Sequence, residues 1–239
     1  MIKYIPGSTL FLVGQIVSAF LVSLLIPICL LLPSVPRANL IAIWARFNIW
    51  TLRWCCGIDF HVTGQEHIPQ SPSIIISNHQ SAWETLAFQL IFPAQSYILK
   101  KELLMIPFFG WGLAVNRPIA INRSEKRRAL EKLITDSQER LDEGRWLVVF
   151  PEGTRMPADE PGDFQVGGAM MAVKTGASIV PVAHNAGYYW PKQGFIKKPG
   201  TVNVVIGPVI DPAGLKPREV NARAEQWIKS ALAGISQDD

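Results

Sequence analysis

Cysteine is scarce in this chain of 239 residues: there are three, Cys29, Cys55 and Cys56. Three cannot build the framework of a disulfide-stapled secreted domain, and the adjacent pair cannot bridge to each other without strain. Two readings of them stand: small buried apolar residues or, for the adjacent pair, a site of lipidation. Histidine is nearly as rare, at four. Neither His-Glu-x-x-His nor Cys-x-x-Cys occurs, and His67 and His184 sit in no ligand spacing, so no metal site is expected. Gly-x-Ser-x-Gly is missing, which argues against a serine hydrolase. Walker and dinucleotide fingerprints are missing too, and there is no internal repeat or low-complexity stretch. Hydrophobic residues, by contrast, make up 49% of the chain and are unevenly spread.

From Leu10 to Leu32 there are 23 residues without a charge. As one helix this run would measure roughly 35 Å, enough for a ~30 Å hydrocarbon core. A cleaved signal peptide normally has a shorter apolar region of ~7–15 residues followed by small residues. Here Pro33-Ser34-Val35-Pro36 follows, so a retained membrane segment is expected. Lys3 alone precedes the run, whereas Arg37, Arg46 and Arg53 follow it, a bias that puts the C-terminal bulk in the cytoplasm. A second helix is expected over Asn39 to Cys56. Asn39, Arg46 and Arg53 recur every seven residues on one face, amid Leu40, Ile43, Trp44, Phe47, Trp50 and Trp54. That pattern suits either a membrane interface or a core helix with snorkelling arginines. At an interface the two helices would form a hairpin dipping into one leaflet, with a kink allowed at Pro27. Residues 1–56 are thus expected to attach the protein to a membrane, and 57–239 to form the working domain.

From Ile58 onward short apolar runs alternate with longer amphipathic stretches. Strands are expected at Asp59–Thr63, Ser73–Ser77, Ser96–Leu99, Ile119–Ile121, Trp146–Phe150, Ser178–Ala183 and Thr201–Ile206. Helices are expected at Ser81–Ile91, Ser124–Glu143, Gly167–Thr175 and Pro217–Ala233, with Gly144 as a C-cap glycine. The alternation argues an α/β domain with a largely parallel central sheet flanked by helices. Met156–Asp163 reads as a loop.

Two strings carry chemistry. In Asn78-His79-Gln80-Ser81-Ala82-Trp83-Glu84 a candidate base stands five residues before a carboxylate. On one continuous helix the two would lie about 140° apart and could not meet. Ser81-Ala82-Trp83-Glu84 has the form of a capping box, however, which starts a helix at Ser81 and turns Glu84 back toward a His79 lying before the cap. His79 also falls just past an apolar strand, where ligands gather in α/β sheets. The structural alternative for Glu84 is capping alone. The second string, Phe150-Pro151-Glu152-Gly153-Thr154-Arg155, places a glycine turn and an arginine after another strand.

Together these strings resemble the first and third motifs of the glycerolipid acyltransferase family, the enzymes that acylate lysophosphatidic acid. The likeness runs from about Gly57 to Pro212, and the hydrophobic N-terminal helices fit it. The family usually has Asp where this chain has Glu84, which adds ~1.5 Å of reach and changes the angle of approach. Ile119-Ala120-Ile121-Asn122-Arg123 resembles the second motif, and Ile179-Val180-Pro181-Val182-Ala183 the fourth. The resemblance implies that His79 is the catalytic base and Glu84 its partner. It implies that Arg123, Arg155 and Lys100 hold the acceptor's phosphate, a role that suits guanidinium forks. Gly153 would let backbone approach a ligand closely, with Thr154 beside it in the same motif. Glu152 would either bond the acceptor or brace the arginines. Pro181 would lie toward the acyl donor, against the plainer reading of a core strand.

The expected reaction is acyl transfer from acyl-CoA or acyl-ACP to lysophosphatidic acid (1-acyl-sn-glycerol 3-phosphate), giving phosphatidic acid with no cofactor. Backbone amides near His79 or Gly153 are candidate oxyanion donors. Another lyso-lipid acceptor, such as a lyso-ornithine lipid, is the nearest alternative, and a lipid hydrolase a more distant one. The net charge of +4 fits membrane lipids rather than nucleic acid as partner. Lys126, Arg127 and Arg128 form either a solvated face or a contact for anionic headgroups or acyl carrier protein. The expected location is the inner (cytoplasmic) membrane, with the catalytic domain facing the cytoplasm.

Overall fold

The computed structural model describes residues 2–106, 109–121, 126–192 and 194–235. Its centre is a seven-stranded sheet in the order β1-β7-β6-β2-β5-β3-β4. These strands are β1 (Ile58–Thr63), β2 (Ile74–Ser77), β3 (Gln95–Lys100), β4 (Ile119–Ile121), β5 (Trp146–Val149), β6 (Ile179–His184) and β7 (Gly200–Ile206). Every neighbouring pair is parallel except β6 and β7. The α/β class and the largely parallel sheet are therefore as expected.

The middle strands are buried on both sides, which is why they read as unbroken apolar runs. Alternate side chains serve two cores. Ile75, Val148 and Val180 join one with α3 (Ser34–Cys56) and α4 (Trp83–Ile91). Ile74, Ile76, Leu147, Val149 and Ile179 join the other. Its helical partners are α6 (Lys126–Asp142), α7 (Gly167–Thr175) and α8 (Pro217–Gly234). Each fully buried Ile or Val contributes about 1.5–3 kcal/mol of transfer free energy. β2, β5 and β6 lie side by side and parallel, so their carboxyl ends open at one edge of the sheet.

The N-terminal region departs from expectation in two ways. The apolar run is not one helix: α1 (Ile5–Ser23) ends before a turn, and α2 (Ile26–Leu30) starts afresh. Pro27 lies in the first turn of α2, where its missing N–H costs nothing; within a continuous helix it would break a hydrogen bond. The other departure is that α3 begins at Ser34 rather than Asn39. Pro36 sits in its first turn and is tolerated there for the same reason.

α1 and α3 pack as an antiparallel pair. Trp44 donates to the Ser18 hydroxyl (3.1 Å), while Gly7 lies against the Cys55 carbonyl at the other end. α3 buries Ala45, Ile49 and Leu52 in the sheet's core. Its outer face exposes Ile43, Phe47, Trp50 and Trp54 beside the exposed Asn39, Arg46 and Arg53. One face thus packs in the core, while the apolar and basic residues of the other face are exposed. α1 exposes a further apolar surface through Leu10, Val13, Ile16, Val17 and Phe20. The helical stretch Ile2–Ser23 is long and apolar enough to cross a membrane.

α5 (Phe109–Val115) was not expected from the sequence. It lies between β3 and β4 and contacts α1 and α2. Cys29 and Cys56 are buried and Cys55 is half-buried; burial pushes the Cys56 thiol up to about 11.

Candidate active site

The carboxyl ends of β2, β5 and β6 bring three chain segments together. Asn78 follows β2 and is fully buried. Its side chain spans to His184 at the end of β6, donating to that residue's carbonyl (2.9 Å) and accepting its backbone N–H (3.1 Å). The His184 ring makes a 3.0 Å Nε2 contact with the Asn78 carbonyl and accepts the Ala186 amide at Nδ1 (3.3 Å). This is the pattern of a neutral imidazole that donates from Nε2, and burial lowers its pKa accordingly. His184 is a strut for the β2–β6 junction.

His79 and Glu84 meet. His79 Nδ1 lies 2.7 Å from Glu84 Oε1, and the same oxygen accepts the amides of Gln80 (3.0 Å) and Ser81 (2.9 Å). Glu84 is fully buried. Burial works to raise its pKa, but its pairing with His79 and the Ser81 amide favour the charged form, holding the carboxyl below its ordinary range. Glu84 therefore stays ionised, keeps the proton of His79 on Nδ1 and leaves the Nε2 lone pair as the basic edge. The His79 side chain is 16% exposed, unlike that of Glu84.

The local start of α4 differs from expectation. The helix begins at Trp83, not Ser81, and Ser81 Oγ accepts the Trp83 amide (3.1 Å). Gln80 and Ser81 are drawn out of helical geometry because both turn their amides onto Glu84. The N-cap residue is Ala82, which has no side-chain cap, so the expected capping box does not form; one Glu84 oxygen instead gathers the two preceding amides and pairs with His79.

The segment after β5 turns sharply. Gly153 donates to the Phe150 carbonyl (3.0 Å) with φ of +70°, a conformation few residues but glycine adopt readily. Phe150 stacks flat under the His79 ring, with centroids 4.1 Å apart and planes 11° apart. Sequence reasoning missed this platform, although an aromatic at the end of a strand beside the catalytic string was the available signal.

Glu152 makes two bonds that the sequence did not suggest. One of its oxygens accepts the His79 amide (2.6 Å) and the other the Gly162 amide (2.9 Å). Among the described residues both oxygens are engaged by backbone amides and neither is paired with Arg155. Burial raises its pKa, against the two amides that favour the charged form. Its work is to hold the catalytic backbone and the following loop together. Met156 adds a further tie by donating to the His79 carbonyl (2.7 Å).

Beside His79 lies an open pocket of about 360 Å³ whose lining includes Gln80, Arg155, Met156, Ala158, Gly187 and Lys192. Arg155 is half-buried and, among the described residues, has no carboxylate partner. Thr154 is exposed and its hydroxyl accepts from Lys192 Nζ (3.0 Å). Lys100 is exposed at the end of β3 and does not line this pocket. Pro181 is buried in β6, paired with Ile76, and does not line it either. Arg123 lies outside the described residues, as do the side chains of Lys126, Arg127 and Arg128. Gln80, Gly187 and Lys192 were not singled out from the sequence as site residues. Their proximity depends on segments more than a hundred residues apart.

Residues 59–185 match the family model described as Acyltransferase. The 1-acyl-sn-glycerol-3-phosphate acyltransferase of Pseudomonas aeruginosa is 48% identical over 196 residues, 81% of this chain and 76% of that protein. The enzyme of the same name from Borreliella burgdorferi is 36% identical over 66% of this chain and 64% of its own length. The crystal structure of the 1-acyl-sn-glycerophosphate (LPA) acyltransferase from Thermotoga maritima superposes with a TM-score of 0.81. It covers 100% of this chain and 99% of that one at 23% identity, a likeness of fold.

Proposed function

The chain belongs to the acyltransferase family, and on that premise we propose that it acylates the free sn-2 hydroxyl of 1-acyl-sn-glycerol 3-phosphate to give phosphatidic acid. The donor is an acyl thioester carried by coenzyme A or acyl carrier protein. The observation that carries the reading is the His79–Glu84 pair at 2.7 Å beside a pocket lined by Arg155. The relatives' shared name supports the acceptor.

His79 Nε2 takes the hydroxyl proton as the oxygen attacks the thioester carbonyl. The tetrahedral intermediate then collapses, the C–S bond breaks, and the thiolate leaves with the proton held by His79. No acyl-enzyme forms and no cofactor enters the balance. Glu84 keeps the imidazole oriented and stabilises its positive charge while it holds the proton. Arg155 binds the acceptor's phosphate in that pocket, with Arg123 as its expected partner; Lys100, which does not line the pocket, is left out of this set.

The exposed apolar faces of α1 and α3 support membrane attachment. α3 is tied to the rest of the domain near both ends, with Ser34 hydrogen-bonded to Glu143 (2.5 Å) near its start and Leu52 in the core near its end. This favours a helix pair lying in one leaflet of the cytoplasmic membrane, the catalytic domain on the cytoplasmic side.

The test is acyl transfer by the purified protein in mixed micelles, with acyl-CoA and acyl-ACP as donors and a panel of lyso-lipids with and without phosphate. The reading expects lysophosphatidate to be the preferred acceptor. Equal turnover of an acceptor without phosphate would refute it.

A further inference from the structure

We propose that Lys192 is a second phosphate-binding cation of the pocket beside His79, working with Arg155 although it lies outside every segment that resembles a family motif. The inference rests on the acyltransferase reading for its substrates, but its observations are independent of the catalytic pair.

Lys192 and Arg155 line the same pocket. An ammonium has three donors; among the described residues, that of Lys192 spends one on Thr154 Oγ1 at 3.0 Å. This bond brings the exposed ammonium beside the Gly153–Arg155 turn. Among the described residues neither cation is neutralised by a carboxylate, so two positive charges share one concave surface. Such a surface favours a bound anion, and phosphate can accept from a guanidinium fork and an ammonium together.

The loop that presents Lys192 is anchored before and after it. The Gly187 amide donates to Gln80 Oε1 (3.1 Å), and a Cβ at Gly187 would come within 2.9 Å of the Gln80 side chain. Trp190 is buried and meets Phe11 of α1 edge-on at 5.4 Å. Lys198 donates to the Tyr189 carbonyl (2.8 Å), and Lys197 places its ammonium over the Trp190 ring at 4.7 Å. Lys192 is therefore carried on backbone held to Gln80 on one side and to the N-terminal helix on the other. A lysine serving only to solvate the surface would need neither the Thr154 bond nor this support.

Two substrates bring phosphate: lysophosphatidate in its headgroup and acyl-CoA in its carrier. Steady-state kinetics of the full chain, varying each substrate at saturating levels of the other, distinguish them. Lys192→Ala should raise KM for one of the two roughly tenfold while kcat stays within about twofold, and Lys192→Arg should restore most of the loss. A rise on the acceptor side assigns the lysophosphatidate phosphate, and a rise on the donor side assigns that of coenzyme A. The ratio should shrink at high salt, which a merely structural defect would not do. Direct binding of lysophosphatidate and of coenzyme A is measured in parallel. Weakened binding of either by Lys192→Ala supports the inference even if wild-type protein fails to acylate lysophosphatidate, an outcome that would sink the acceptor reading alone. Both KM values and both affinities unchanged in a folded Lys192→Ala protein would overturn it.

Discussion

Replacing Glu84 by Gln tests the pairing with the least change of shape. The amide oxygen can still accept from His79 Nδ1 and from the Gln80 and Ser81 amides, so the ring's tautomer is kept and its charge partner removed. Two unit charges about 4 Å apart at an effective dielectric of about 20 attract by about 4 kcal/mol, and about 1.4 kcal/mol is tenfold in rate. Partial exposure of His79 weakens this, so kcat should fall by roughly 10²–10³. KM for lysophosphatidate should hardly move, because Glu84 does not line the phosphate pocket. A structural cost should accompany the kinetic one. Glu84 Oε2 is buried with no hydrogen-bond partner among the described residues, so the new NH₂ would strand two donors there. That costs about 1–3 kcal/mol or more, visible as a lower Tm. The assay is transfer from acyl-CoA in mixed micelles, with circular dichroism confirming a cooperative fold. A folded Glu84→Gln protein with kcat within about threefold of wild type would refute the reasoning, since the rate would then owe little to the charge on Glu84.

Three further outcomes follow from the same geometry. The Glu84 carboxyl is depressed in the folded state, so its contribution to stability is present above its unfolded pKa and is lost as pH falls through the folded value. Denaturant titrations from pH ~6 down to ~2 should show wild type losing more stability than Glu84→Gln; parallel losses would contradict the shift. Arg145 is fully buried; it donates to Ser96 Oγ (2.8 Å) and Asn116 Oδ1 (2.6 Å) and to the carbonyls of Ser34, Gln95 and Asn116. Arg145→Met strands these acceptors and should cost at least about 3 kcal/mol in chemical denaturation; a loss under about 1 kcal/mol would show that the hub is dispensable. Trp50 and Trp54, 56% and 74% exposed on α3, should insert into lipid; Trp50→Gln/Trp54→Gln should reduce co-sedimentation with anionic vesicles while Tm holds, and unchanged binding would remove α3 from the contact.

What the sequence makes legible here is what local physics decides. The Ile74–Ser77 strand is legible because Ile74, Ile75 and Ile76 form an unbroken apolar run, and Gly167–Thr175 and Ile119–Ile121 match at both ends. The His79–Glu84 contact was legible because an interrupted helix was the one way to bring together two groups set 140° apart on a continuous one. α5 was not legible: Gly110 and Gly112 depress the helical signal of a seven-residue segment whose support is tertiary packing against α1 and α2. The break after Ser23 was obscured because an uncharged run looks the same whether it is one helix or two. The role of Glu152 escaped because its partners are backbone amides, one of them 73 residues away in the chain, and no side-chain pattern encodes them. Lys192 escaped because its partner, the Thr154 hydroxyl, is 38 residues back and follows no period.

The central claim is that His79 is the base for direct transfer. The most direct measurement is single-turnover reaction of labelled acyl-CoA with lysophosphatidate, following phosphatidic acid and protein-bound label together. Wild-type protein should form phosphatidic acid with no labelled protein, and folded His79→Ala should be slower by at least about 10²-fold. Near-normal turnover by His79→Ala, or label passing through the protein, would contradict the account.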